Sequence, residues 1–196
     1  NGTKELCMKN IGVILSSVRE ERVGDKVAAW YMEEAALQEY GLRLKLLDLK
    51  DINLPSMNEP VSPKAGMNYV FGHTRNWSRI VQEFDGFIIL TPEYNHGYPG
   101  SLKNALDYLY EEWKGKPVGL VGYGGNGAPY ARKYLKDVFD VVGLIPLEEE
   151  VSIKKIWKAF DEQGKPKNEF IEGSIDVQMK QMAAFLKMIE TTVFSI

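Results

Sequence analysis

Short apolar runs alternate with amphipathic helical patterns from one end of this chain to the other, and that alternation constrains the fold more than any other feature. Two strands that run in the same direction need a crossover between them, so the pattern predicts βαβ units, a parallel sheet and helices on both of its faces. Residues 11–15 predict a first strand, and Val23, Val27, Trp30, Tyr31 and Ala35 predict a helix after it. Leu42, Leu44, Leu46 and Leu49 are interleaved with Arg43, Lys45 and Asp48, the partial alternation of a second strand whose flank meets water, hence one at a sheet edge. The continuous runs at 87–90 and 117–121 suit central strands three and four. Residues 144–153 predict a fifth strand at the opposite edge, where Glu148, Glu149 and Glu150 would discourage strand addition.

Residues 50–74 contain Pro55, Pro60 and Pro63 and no sustained period, which predicts a long surface connection. Thr74 stands where it would cap a helix carrying Trp77, Ile80, Val81 and Phe84 inward. Leu102, Ala105, Leu106, Leu109 and Trp113 predict a helix after strand three, and Ala131, Leu135, Val138 and Val142 another that stops at Gly143. Ser174 is positioned to cap a last helix with Ile175, Met179, Met182, Leu186 and Ile189 on one face. The Trp113 face and the Met-rich face read as core, and Lys103 and Asp107, four apart, as a surface pair.

Composition narrows the function classes. At 196 residues and 44% hydrophobic content, the chain can bury roughly 70% of its unfolded surface as one domain, residues 1–196. A net charge of −3 and a pI near 5.6 argue against nucleic acid as a partner. No apolar run approaches the eighteen or so residues of a membrane span. Cys7 is the only cysteine, so an intrachain disulfide and a cysteine zinc cluster are excluded and a reducing cytoplasm is expected. Asn1-Gly2-Thr3 matches a glycosylation acceptor, a common pattern on which no weight is placed.

The chemistry concentrates where strands one, three and four end, the side of an open α/β sheet on which ligands bind. The turn 16–22 joins strand to helix, where free N–H groups and the helix dipole favour a phosphate. Ser17 adds a hydroxyl donor there, and Arg19 and Arg22 add charge and bidentate capacity. After strand three, Pro92 and Pro99 stiffen a loop in which Gly97 and Gly100 permit close approach, and Tyr94 and Asn95 offer stacking and hydrogen bonds. Strand four runs into Gly122-Tyr123-Gly124-Gly125-Asn126-Gly127, where main-chain amides can reach a flat ligand. His96 invites a proton-transfer role by its ordinary pKa, but a wall or packing role is the simpler reading, and neither it nor His73 has a metal partner in view.

The segments 16–23, 75–81, 90–107 and 121–127 together resemble the signature of the NAD(P)H-dependent FMN reductase family, which includes quinone reductases, over most of the chain from about residue 10 to 130. The resemblance implies a flavodoxin-like three-layer α/β fold with a five-stranded parallel sheet of order 2-1-3-4-5. It implies FMN as cofactor, with Ser17, Arg19, Arg22 and Val23 at the phosphate, Pro92, Glu93, Tyr94 and Asn95 along the isoalloxazine, and Tyr123, Gly124 and Gly125 completing the pocket. NAD(P)H would be co-substrate, and hydride would pass through the flavin to a quinone or related acceptor in ping-pong fashion, with no catalytic side chain required. Azo, chromate or free-flavin acceptors remain alternatives of the same chemistry. A homodimer or homotetramer is also implied, with Trp157, Phe160 and Phe170 in residues 154–173 marking a subunit contact or a lid. Many family members have glycine where Ser16 stands. A non-enzymatic FMN electron carrier or redox sensor is the rival reading. Such carriers usually have a hydroxyl-rich phosphate loop and a strongly acidic face, whereas here the turn carries two arginines and the net charge is only −3.

Overall fold

The computed structural model describes residues 8–193, so Cys7 and the Asn1-Gly2-Thr3 pattern lie outside the described residues. One sheet runs through the molecule. Its path is β2 (Leu42–Asp48), β1 (Lys9–Leu15), β3 (Gly86–Thr91), β4 (Pro117–Tyr123), β6 (Val151–Ile153) and β7 (Ile171–Glu172), and the two-residue β5 (Ile145–Pro146) also pairs with β4. All pairings are parallel except β6 with β7. Order 2-1-3-4 followed by the chain's later strands is the flavodoxin-like arrangement.

Helix α1 (Gly24–Ala36) and the C-terminal α7 (Ile175–Val193) cover one face, where Val27, Tyr31, Met179 and Met182 pack on Val13, Ile88 and Val121. On the other face, α3 (Gly72–Gln82), α4 (Gly100–Asp107) and α5 (Pro129–Val142) bring Trp77, Leu106, Leu135 and Phe139 onto Ile14, Phe87 and Ile89. The alternation of apolar runs is therefore realised as three layers, with β1, β3 and β4 buried along almost their whole length. Short helices α2 (Leu49–Ile52) and α6 (Ile156–Ala159) follow β2 and β6.

Several local expectations are corrected. The fifth strand is two pieces rather than one, and a seventh, antiparallel strand lies outside it, so the sheet is not five-stranded and β6 is not an edge. Pro146 brings no N–H to the ladder, and the acidic run that follows is drawn into bonds of its own. Glu149 accepts from the Ser174 amide at 2.7 Å, and Glu150 pairs with Arg132 and Lys136. β2 is an edge strand as expected, but Leu46 is exposed while Leu47 is buried, and Leu49 already begins α2. Thr74 does not cap α3, which starts at Gly72 with Thr74 buried inside its first turn. The Glu59 carboxylate instead accepts from the amides of Val70 and Phe71. α4 ends at Asp107, so Leu109 and Trp113 reach the core from the turns after it.

Other expectations hold. Gly143 closes α5 at φ 82°, its amide donating to the Phe139 carbonyl at 2.8 Å, and the Ser174 hydroxyl accepts from Val177 at the start of α7. Lys103 and Asp107 pair at 2.8 Å. The long connection is shorter than the expected 50–74, because α2 takes its first residues and α3 its last; what lies between, 53–71, is pinned by Asn104, which donates to the Pro55 carbonyl and accepts from the Met57 amide, both at 2.8 Å.

Candidate functional site

Three loops leave the carboxyl ends of β1, β3 and β4 side by side, because those strands are neighbours in register: Leu15 lies opposite Leu90, and Leu90 opposite Val121. The first loop is tied down by Ser16. Its hydroxyl donates to the Leu90 carbonyl at 2.6 Å, and its own carbonyl accepts from Ser101 at 2.5 Å. Ser16 thus cross-links the loop to strand three and to α4. Beyond it, no backbone N–H from Val18 to Glu21 donates to an acceptor among the described residues, and these four residues are exposed. Glu21 holds a left-handed conformation at φ 51°.

The two arginines of this turn have different situations. Arg19 is exposed, and its guanidinium makes no hydrogen bond or ion pair among the described residues. Arg22 is nearly enclosed, with 7% of its side chain accessible, and its donors reach Asp48, Asp25 and the Ser17 carbonyl. Its bidentate capacity is spent on Asp48, not held open for a ligand. Hydrogen bonding to Asp48 holds the Arg22 pKa well above its usual value. Burial pushes the Asp48 carboxyl up, but bonds from Arg22 and from the Lys50 amide outweigh it and leave the group below its ordinary value. Val23 is the residue before α1, and its carbonyl accepts the amides of Lys26 and Val27.

In the second loop, Tyr94 and Gly97 exchange backbone hydrogen bonds of 2.8 and 3.0 Å around Asn95 and His96, both at positive φ of 52° and 61°. This is a tight turn of the I′ kind, with a histidine at a position usually given to glycine. His96 is held there by stacking on Tyr130, 4.1 Å between centroids and 21° between planes. The Tyr94 hydroxyl lies 2.9 Å from Ser17 Oγ, which joins the second loop to the first. Glu93 accepts from the amides of Tyr130 and Ala131, serving the N-terminus of α5, which lacks a capping side chain of its own. Pro92 is buried.

The third loop follows Tyr123. A Cβ on Gly122 would stand 2.3 Å from the Gly127 carbonyl, so the loop folds back on the strand end only with glycine there. Gly125 is exposed and Gly124, at φ 151°, is half-buried; a Cβ on Gly124 would meet nothing within 4 Å, though its amide is committed to the Ile153 carbonyl at 3.2 Å. Tyr123 is 2% exposed, and its hydroxyl has no hydrogen-bond partner. Burial pushes its pKa up, and Tyr94, Arg22 and Arg19 stand near enough to bear on it. The buried, partnerless phenol ends against Gly24, the first residue of α1, and the turn leading into that helix carries the unengaged amides and the uncommitted Arg19, a set that fits an anionic phosphorylated ligand at this helix start. That is what FMN would bring.

Sequence reading brought Ser17, Arg19, Tyr94, Asn95, Tyr123, Gly124 and Gly125 to one end of the sheet, and the structure brings them together. It missed Asp48, Asp25 and Ser101, which hold the first loop in place. Asp48 was accessible from topology, since it closes β2 opposite Leu15. An apolar groove of about 440 Å³ between α4, α5 and the segment around Pro63 lies elsewhere: Val141 and Val142 place it near the chain entering β5, at the amino ends of the strands. A second cavity, about 460 Å³, borders the first loop through Val18 and Ser101. Among the described residues no cluster of His, Cys, Asp or Glu could hold a metal ion, and no helix is long and apolar enough to cross a membrane.

Comparison with known proteins identifies the family. The family model described as NADPH-dependent FMN reductase matches residues 9–158. NAD(P)H-dependent FMN reductase LOT6 of Saccharomyces cerevisiae is 36% identical over 164 residues, 72% of this chain and 86% of that protein. A quinone reductase of Pseudomonas putida is 33% identical over 135 residues, 62% of this chain and 66% of that protein. Among solved structures, the flavoenzyme NAD(P)H:(acceptor) oxidoreductase FerB from Paracoccus denitrificans superposes with a TM-score of 0.70 at 25% identity, covering 92% of this chain and 98% of FerB. With three loops suited to a phosphorylated flat ligand and a family match over most of its length, this chain belongs to the NADPH-dependent FMN reductase family.

Proposed function

We propose that this protein transfers reducing equivalents from NAD(P)H through FMN to quinone-type acceptors by a ping-pong scheme. The coarser part follows from the family: the chain is a flavin-dependent NAD(P)H oxidoreductase. Bound FMN supplies the hydride relay between the two substrates. The single observation that carries the site assignment is the turn 16–22, whose amides from Val18 to Glu21 and whose Arg19 guanidinium are unengaged among the described residues at the start of α1, where the partnerless Tyr123 hydroxyl ends against Gly24.

In this reading, Ser17 and the amides from Val18 to Glu21 bind the phosphate, with Arg19 as the cation. Arg22 acts one step back: locked to Asp48 and to the Ser17 carbonyl, it fixes the shape of the turn rather than touching the ligand. Tyr94, pinned through Ser17, and the rigid turn at Asn95 line the ring site together with Pro92, Gly124 and Gly125. Glu93 and Val23 hold α5 and α1 at the edge of the site through their bonds to helix N-termini. His96, stacked on Tyr130, forms a wall and carries no proton in the reaction. A site visited in turn by both substrates would need only one nucleotide cradle. A homo-oligomer in the reducing cytoplasm belongs to the same reading.

Initial rates with NADPH and 1,4-naphthoquinone, each varied at several fixed levels of the other, test the scheme. Parallel double-reciprocal lines are expected. Lines that intersect to the left of the axis would mean both substrates bind together and would contradict it.

A further inference from the structure

A fourth loop at the same end of the sheet, the one after β6, has no part in the reading above. Three backbone hydrogen bonds fasten it to the glycine loop: Gly124 donates to Ile153 at 3.2 Å, Lys155 to Gly125 at 3.0 Å and Ile156 to Gly124 at 3.2 Å. Lys155 is held at φ 47°. Left-handed non-glycine residues also occur at Glu21, Asn95, His96 and Ala128 in the other three loops, and outside them at Asn53 after α2.

What the loop presents is an indole. Trp157 is 73% exposed, whereas Trp30, Trp77 and Trp113 are at most 7% exposed. Its ring reaches the glycine loop: a Cβ on Gly125 would lie 3.7 Å from Trp157 Cζ3. An exposed indole forfeits the burial that makes tryptophan favourable, which is sensible where a ligand supplies the missing contact. The charges beside it are differentiated. Lys154 pairs with Glu172, and the Lys158 ammonium lies 5.4 Å from the Phe170 ring centroid. The exposed Lys155 ammonium makes no ion pair or hydrogen bond among the described residues.

We propose that Trp157 and Lys155 form a subsite for the electron acceptor at the rim of the flavin pocket, taking a planar aromatic molecule with a negative charge. The indole stacks on the acceptor ring and the ammonium pairs with its anionic substituent. This rests on the placement of FMN against Gly124 and Gly125 argued above. One ring and one cation suit a small charged acceptor better than a dinucleotide, whose pyrophosphate calls for several oriented donors.

The test uses the FMN-loaded protein and a matched pair of acceptors, 1,4-naphthoquinone-2-sulfonate and 1,4-naphthoquinone. In the wild type, the sulfonate should have a KM about 5–10-fold lower, and the exposed tryptophan emission should be quenched saturably by it, a binding readout independent of turnover. Lys155→Met should abolish the preference for the sulfonate with little change for the neutral quinone. Trp157→Ala should raise both acceptor KM values and remove the saturable quenching, while the KM for NADPH and the affinity for FMN stay as in the wild type. With FMN bound normally, unchanged acceptor KM values in both variants would overturn the subsite and leave the flavin site standing. A shift in sedimentation of Trp157→Ala with the charge preference retained would likewise overturn it, assigning Trp157 to a subunit contact. Failure of the wild type to bind FMN in a prior titration would overturn the underlying reading and the subsite with it.

Discussion

The difference between Arg19 and Arg22 shows how one short turn divides its labour. Arg22 is surrounded by carboxylates, so its loss should be felt in the fold, whereas Arg19 faces solvent and should matter only with ligand bound. Arg19→Ala is expected to weaken FMN binding by roughly 1.5–3 kcal/mol, the value of a charge-assisted hydrogen bond, with the unfolding midpoint unchanged. Asp48→Asn is expected to destabilise the protein by about 2 kcal/mol at pH 7, below the range for fully buried pairs because 13% of the Asp48 side chain meets water. The folded-state pKa of Asp48 is lowered, so its contribution is complete above the unfolded value near 4 and is lost as pH falls through the folded value. Urea unfolding should therefore show wild type and Asp48→Asn converging as the pH drops below about 4; a gap that stays constant would contradict the pairing. The presence of both arginines was legible in the sequence, but their roles were not. The partner of Arg22 sits 26 positions away on β2, a proximity that exists only once β2 has paired with β1.

At the level of single elements, the third loop depends on a strand end that can take no side chain. Gly122→Ala pushes a methyl against the Gly127 carbonyl, a backbone atom that cannot move without shifting the loop and Arg132 with it. The expected cost is about 1–3 kcal/mol of stability, roughly 2–12 °C in Tm for a chain of this size, with weaker FMN binding besides. Calorimetry of the variant decides it, and an unchanged Tm would mean the loop has room it does not show. The central strands were readable because burial on both faces writes an unbroken apolar run, as at 87–90. The fifth strand was not. Its split depends on Pro146 and on Glu149 and Glu150 meeting Ser174, Arg132 and Lys136, which are distant partners that no local pattern announces. Thr74 has the composition of a cap, yet Glu59, fifteen residues earlier, accepts the amides just before the helix.

For the molecule as a whole, the alternation of strands and helices brings β1, β3 and β4 into adjacent positions, and the site follows from that adjacency: three βα loops in parallel register must open on the same side. The fourth loop reaches the site by another route, through backbone bonds from residues 153–156 to the glycines after β4, a proximity invisible in the sequence, which offered Trp157, Phe160 and Phe170 together as a subunit contact or a lid although only Trp157 is exposed. The central claim is that these loops form an FMN site that accepts hydride from a pyridine nucleotide. The purified protein, loaded with FMN and examined by visible spectroscopy without oxygen, tests it most directly. Flavin bands that bleach on addition of NADPH or NADH and return with a quinone are the predicted result. Bands that persist with both nucleotides, or a protein that takes up no FMN at all, would contradict it.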